Sequence, residues 1–353
     1  MVSSTGISVS VTQDWAGPLV EELSTLYRQK SQDTPWGGRW DVSQAYFAWK
    51  CAANPVLPSV AALARDSDRA LCGAVTVTFK RLGCGDEKVL AGEIGDLYLQ
   101  PRLRGTGVFA DLVRVATDRA RNLGADVVYC IPNRAGANAL ARTGIYTACS
   151  AAEHATWIVP LRPLKVMACR CPSLTPLSVL DGAIWPLVRA LNAGASAACE
   201  VAMENALQCY RPAATEGLRL DDSISYLTYR TLAGTQPDAY RALVPVCMPS
   251  AAAVIIRKAD FRGLPVLFGA RLDAATPRVF GGQSGLLARY ALEGDFAFAA
   301  LWAPRRGAYA ASLWRRGFLP AQRKTIMIAS ASSAWVLERL PQLRLDMLDS
   351  DKI

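Results

Sequence analysis

Gly95-Asp-Leu-Tyr-Leu-Gln-Pro-Arg-Leu-Arg-Gly-Thr-Gly107 is the stretch on which the reading of this chain turns. An extended run ends at Leu99, a short basic turn follows, and a helix-forming segment starts at Val108 and continues to residue 121. Glycine lets backbone approach a ligand closely, and successive unpaired N–H groups at a helix start form a nest for phosphate oxygens. Arg102 and Arg104 add fixed positive charge beside it. The turn is suited to hold an anion.

The flanks fit such a turn. Gly124-Ala-Asp126 leads into a second hydrophobic strand over 127–132, followed by Asn133 and a small-residue helix over 135–143 that Gly144-Ile145 closes. A dinucleotide fingerprint also matches on paper at Gly105-x-Gly107-x-x-Ala110. That fold places its first glycine at the strand end, whereas residues 100–104 intervene here. It also wants an acidic residue closing the next strand, and Asp126 precedes that strand. No Gly-Lys-Ser/Thr follows, which excludes a P-loop. An ordinary glycine-containing strand–helix turn stays open beside the anion-binding reading.

Arg102-x-x-Gly105-x-Gly107 resembles the Gln/Arg-x-x-Gly-x-Gly/Ala signature of the GNAT superfamily of acyl-CoA-dependent N-acyltransferases. The resemblance covers residues 10–160 well and the whole chain more faintly. It implies an α/β (α+β) fold of two GNAT-like domains, each a mixed, mostly antiparallel twisted sheet with helices on both faces and a splayed parallel strand pair. It implies acetyl-CoA as co-substrate and no metal. The pantetheine would lie between strands 92–99 and 127–132, along Leu97, Tyr98 and Leu99. The pyrophosphate would sit on the N–H groups of Arg104, Gly105, Thr106, Gly107 and Val108, with Arg102 and Asn133 completing the cofactor contacts.

Acyl transfer to an amine needs a held thioester, a neutral lone pair and a proton for the departing thiolate. An amine of lysine-like pKa costs about 4.6 kcal/mol to neutralise at pH 7, so a general base would help. Glu93 and Asp96 are the candidates, three positions apart and so on opposite faces of a regular strand. Gly92 and Gly95 suit a bulge that would change this. Glu93 is slightly favoured as base, with Asp96 positioning substrate or strand; either could instead pair with a nearby arginine. The tyrosine that many GNAT members carry four residues before the last helix's terminal glycine is here Leu140. The only histidine, His154, reads as a surface residue.

At 353 residues the chain suits two domains, and 51% hydrophobic with 20% charged residues excludes disorder. Ten cysteines are mostly scattered through apolar segments, and Cys169-x-Cys171 lacks zinc-site spacing, so reduced thiols in a cytoplasmic protein are expected. No signal peptide is evident, and Asp181, Pro186 and Arg189 break the most apolar stretch, near 172–199, against a membrane span. The net charge of +9 comes from dispersed arginines rather than a basic–aromatic stripe, so nucleic acid is not expected as a partner.

The chain repeats itself. Tyr46-Phe-Ala-Trp-Lys50 with Asn54-Pro55 echoes Tyr226-Leu-Thr-Tyr-Arg230 with Gln236-Pro237. Strands are expected over 59–63, 72–79 and 89–99 in the first copy, and over 253–257, 266–272 and 296–302 in the second. Residues 156–159 would finish the first sheet and 324–329 the second. The division is 1–163 for an N-terminal domain with the acyl-CoA site, 164–200 for a connector with a helix, and 201–353 for a degenerate C-terminal copy. After Leu272 the second copy has glycines but no basic-x-x-Gly-x-Gly spacing. An amino sugar of surface-polysaccharide synthesis is the first acceptor suggested by the resemblance, in keeping with a small-molecule amine partner. A FemAB-like aminoacyl transferase or a non-catalytic binding protein are the rivals. The closing Asp346, Asp349 and Asp351 could face a cationic acceptor or form a solvated tail.

Overall fold

The computed structural model describes residues 6–15, 17–33, 43–169, 171–210, 218–220, 223–246, 253–329 and 333–349. Cys247 and Asp351 lie outside them. The first copy runs β1 (Ser8–Thr12), α1 (Leu19–Asp33), α2 (Gln44–Phe47), β2 (Val60–Arg65), β3 (Leu71–Cys84), β4 (Glu87–Leu99), α3 (Val108–Asn122), β5 (Val127–Cys130), α4 (Arg134–Arg142), β6 (Tyr146–Ala148) and β7 (His154–Pro160). The connector carries α5 (Pro163–Ala168), a run of 3-10 turns over Pro172–Ile184, and α6 (Trp185–Leu191). The second copy continues with β8 (Ala198–Val201), α7 (Met203–Cys209), β9 (Arg219–Leu220), α8 (Ile224–Thr231), β10 (Tyr240–Pro245), β11 (Val254–Phe261) and β12 (Leu264–Leu272). It closes with α9 (Pro277–Glu293), β13 (Phe298–Pro304), α10 (Gly307–Trp314), β14 (Leu319–Lys324), β15 (Met327–Ala329) and α11 (Ala334–Arg339).

Two mixed sheets result, ordered β1-β2-β3-β4-β5-β15-β6, with β9 against β3, and β14-β7-β13-β12-β11-β10-β8. Each has one parallel pair, β4–β5 and β12–β13, among antiparallel neighbours. The sheets exchange their last strands. Residues 156–159, expected in the first sheet, lie in β7 between β13 and β14 of the second. Residues 324–329, expected to finish the second sheet, divide. β14 stays in the second sheet, and β15 crosses to the first, between β5 and β6. Both are short apolar strands flanked by turns, so no local signal says which sheet each joins.

Alternation along β3 sets the two faces of the first sheet. Val75, Val77 and Phe79 pack with Val108, Leu112, Val113, Ala116 and Ala120 of α3, all fully buried. Their spacing along α3 puts them on one helical stripe. On the other face Ala74 and Tyr98 meet Leu19, Leu23, Leu26 and Tyr27 of α1 with Tyr46 and Phe47 of α2. The repeated aromatic–basic motifs meet each other. Trp49 and Tyr229 stack at 5.2 Å, the Trp49 indole N–H donates to Tyr229 O at 3.0 Å, and the Tyr229 hydroxyl donates to Lys50 O at 3.1 Å. The two similar motifs thus contact each other directly.

His154 is buried, contrary to its reading as a surface residue. Its Nε2 accepts from Leu345 N at 3.1 Å, which leaves the proton on Nδ1 to donate to Ala152 O at 2.9 Å. Burial pushes its pKa from 6.5 down to about 4. The unfolded chain therefore takes up a proton first as pH falls. The stability this ring carries is whole above pH 6.5 and is lost between there and about pH 4, amounting to about 3 kcal/mol. Denaturant titrations at pH 7.5 and 4.5 should show this extra loss in the wild type and not in His154→Gln. Equal losses in both proteins would refute it.

Candidate functional site

The parallel ladder of the first sheet is short. Ala91, Gly92 and Glu93 of β4 pair with Val127, Val128 and Tyr129 of β5, and no further pair joins the two strands. In the second sheet the equivalent ladder continues through Gly269 and Leu301. A bulge gives a common reference point. On β4, Thr76 opposes Gly95 and Ala74 opposes Tyr98, so Asp96 and Leu97 face one residue. On β12, Ile256 opposes Gly269 and Ile255 opposes Arg271, so Ala270 is the extra residue. Measured from the glycine before each bulge, the first ladder stops two residues short and the second reaches it. The gap between β4 and β5 opens early, and its counterpart stays zipped.

Below that gap lies the glycine turn. Gly105 and Gly107 have φ of 84° and 89°, the left-handed region that glycine enters without strain. Gly107 caps α3 with no side-chain hydrogen bond. The turn's own bonds use Arg104 N, to Pro101 O at 3.1 Å, and Thr106 N, to Leu103 O at 3.4 Å; the Thr106 hydroxyl donates to Leu103 O at 2.7 Å. Among the described residues, the N–H groups of Gly105, Gly107, Val108 and Phe109 have no such partner. The nest is thus narrower than residues 104–108, with Arg104 and Thr106 N–H already committed. In the second copy α9 begins with Pro277, which has no N–H, and the Thr276 hydroxyl accepts from Val279 N at 3.3 Å. Its glycines lie inside the helix: a Cβ on Gly281 would approach Ser312 to 3.3 Å and one on Gly285 would approach Asn192 to 3.2 Å. Gly281 and Gly285 serve helix packing, and Gly282 faces open space.

The bulge also changes where the carboxylates point. Asp96 adopts φ 44° and accepts from Thr76 Oγ1 at 3.1 Å, on the face shared by Thr76, Thr78 and Lys80. Glu93, opposite Thr78, uses the same face. Both carboxylates therefore look away from α3, whereas a regular strand would separate them. Each holds a buried lysine rather than an arginine: Glu93 pairs with Lys80, which is 0% exposed, and Asp96 with Lys50, which is 1% exposed. Burying four charges is tolerable because they are paired. The Thr78 hydroxyl, between the two pairs, has no partner in this arrangement.

No family model matches the sequence, and a search of curated proteins finds no match either. Solved structures do match. A GCN5-related N-acetyltransferase from Anabaena variabilis aligns at TM-score 0.61 and 11% identity, over 94% of this chain and 75% of that one. N-myristoyltransferase of Saccharomyces cerevisiae with bound myristoyl-CoA aligns at 0.57 and 11% identity, over 95% and 83%. A probable N-acyltransferase from Enterococcus faecalis aligns at 0.56 and 14% identity, over 91% and 72%.

The fold is that of the GCN5-related N-acetyltransferases. Within this GNAT fold the remaining expected residues take definite places. Arg102 donates to Asp66 at 2.9 Å and to Gln100 at 3.0 Å, and the Arg102 hydrogen bond holds the Asp66 carboxyl below the usual range. Its charge is shared with that pair, while the exposed Arg104 has no side-chain partner among the described residues. Asn133 caps α4 by accepting from Gly136 N at 2.8 Å. Leu97 borders the gap, and Tyr98 and Leu99 are buried on opposite faces of β4, in the α1 and α3 cores. Leu140, where many GNAT members carry a tyrosine, is buried in the α3-side core. Tyr146 bonds Thr117 at 2.9 Å, and burial drives its phenol far above the ordinary range, which unsuits it to donate a proton near neutrality.

Lys50, Lys80, Thr76 and Thr78 are the site residues that the sequence reading missed. The signal was present in Thr76-x-Thr78-x-Lys80, a polar period of two inside an apolar strand. No group of three or more potential metal ligands occurs among the described residues.

Proposed function

We propose that this chain transfers an acyl group, acetyl in the simplest case, from its CoA thioester to a primary amine of a small molecule. The observation that carries the reading is the conjunction in the first copy of a parallel ladder ending at Glu93 and Tyr129 with an unpaired amide nest at Gly105, Gly107 and Val108. The strand gap would take the pantetheine beside Leu97 to Leu99. The nest would take the diphosphate, with Arg104 supplying charge, and the free amide of Asn133 lies at the start of the neighbouring helix. The second copy, zipped and self-capped at the equivalent places, would shape the acceptor side.

Glu93 is the base in this proposal, and Asp96 positions the strand and Lys50. Taking a proton from the acceptor amine makes Glu93 trade its hold on Lys80 for that proton, so Lys80 would steady the carboxylate between turnovers. An amino sugar remains the first acceptor to try.

Thermal shift with acetyl-CoA tests the donor site. At a hundredfold excess over the dissociation constant, mass action stabilises the protein by about 2.7 kcal/mol, and no shift with acetyl or longer acyl-CoA would defeat the proposal. Thiol release across an amine panel then identifies the acceptor. Glu93→Gln should lower turnover with donor affinity retained and alter the pH–rate profile. An unaltered profile with reduced stability would leave Glu93 only its structural pairing with Lys80.

A further inference from the structure

The apolar connector, which neither copy of the fold absorbs, lies at the surface. Among the described residues thirteen large hydrophobic side chains are exposed, and six fall in one short stretch: Met167, Leu177, Val179, Leu180, Leu187 and Leu191. Val179 is 81% exposed. They belong to α5, the 3-10 turns and α6, which follow one another and pack together. The surface continues onto the second copy. Arg316 donates to Leu191 O at 3.2 Å, and Leu191 would lie 3.2 Å from a Cβ at Gly317. Three residues earlier, Trp314 is 52% exposed, its ring edge-on to Trp157 at 5.7 Å.

Charge around this surface is mainly positive. The described residues 161–199 contain Arg162, Lys165 and Arg189 against a single acid, Asp181. Asp181 is buried and consumed as a cap, accepting from Leu164 N at 2.8 Å and Lys165 N at 2.9 Å. Glu293 and Asp295, the acids beyond the rim, are held by Arg289 and Arg162. Arg189 and Arg315 are exposed. Exposed aliphatics with Arg189 among them, and a tryptophan beside Arg315, complement an anionic, interfacial partner.

We propose that this face docks the protein on a membrane surface bearing anionic lipid headgroups. Leu177, Val179, Leu180 and Leu187 enter the boundary between headgroups and acyl chains, Trp314 lies at headgroup level, and the arginines meet lipid phosphates. The segment lies on the bilayer rather than crossing it, since no helix among the described residues is long and apolar enough to span. A symmetric pairing with a second copy is disfavoured because it would set the same arginine rim against itself. The proposal is independent of the acyl-CoA site.

Flotation with phosphatidylcholine vesicles, with and without phosphatidylglycerol, tests it. The full chain should bind the phosphatidylglycerol vesicles at least about tenfold more tightly, and the preference should fall in 0.5 M salt. The double variant Val179→Asp/Leu180→Asp should lose about tenfold of that binding. Trp314→Ala, remote in sequence, should weaken it while the protein still melts cooperatively and keeps its acetyl-CoA response. No binding to the anionic vesicles, or binding untouched by both variants, overturns the proposal. A dimer in light scattering that the double variant disperses, without vesicle binding, overturns it in favour of self-association. Acetyl-CoA thermal shift in the same variants should stay at the wild-type value, so failure here and failure of the acyl-transfer reading are distinguishable.

Discussion

Gly105→Glu should abolish measurable acyl-CoA binding, a loss of about a hundredfold or more in affinity, while the chain stays folded. Nothing lies within 4 Å of a Cβ built at Gly105, so the new side chain meets no steric wall. Its φ of 84° is the problem for the backbone, costing about 1–2 kcal/mol for a residue with a Cβ. The carboxylate is the problem for the ligand, because it competes for the same unpaired N–H groups that would take the diphosphate. Gly105→Ala separates the two effects. It carries the backbone strain without the charge and should cost about tenfold or less. Calorimetric titration of both variants decides the matter: wild-type affinity in Gly105→Glu would show that the diphosphate binds elsewhere.

What the sequence disclosed here was what short-range chemistry governs. The glycine turn, the helix it starts and the strand before it all follow from neighbouring residues, and α3 extends one residue beyond its expected end. The missing basic-x-x-Gly-x-Gly spacing of the second copy was visible too, but not that Gly281 and Gly285 pack within α9. The two carboxylates were found, but their shared face depended on a bulge whose position a strand pattern does not fix. Their lysine partners come from 13 and 46 residues away. Lys80 could have been noticed from its two-residue spacing with the threonines. Lys50 could not, because it reaches Asp96 from a turn after α2 that only the packed structure places. His154 fails for the same reason: its partner, Leu345, is 191 residues distant.

The exchange of last strands carries the second large expectation. Residues 1–163 expressed alone should not form a cooperatively folded domain, although they hold every residue proposed for the acyl-CoA site. In the intact chain β15 fills the space between β5 and β6, and among the described residues β6 has no strand partner but β15. Without residues 327–329, the outer edge of β5 and the one pairing edge of β6 lose their hydrogen bonds. Met327 and Ala329 also leave the core under α3 and α4. At the same time β7 loses both neighbours, β13 and β14, and exposes Trp157 and Val159, which are fully buried in the second core. Burial of one such large side chain stabilises by about 1.5–3 kcal/mol, so the combined loss is comparable to the whole stability of about 5–15 kcal/mol of an ordinary domain once the unpaired strand edges are included. Residues 1–163 should show a broad, non-sigmoidal melt and no response to acetyl-CoA. Co-expression with 164–353 should restore a complex that melts cooperatively and binds the donor. A monomeric 1–163 with a sharp transition would mean that β7 can return to its own sheet, and that the exchange binds the copies together without being needed to build either.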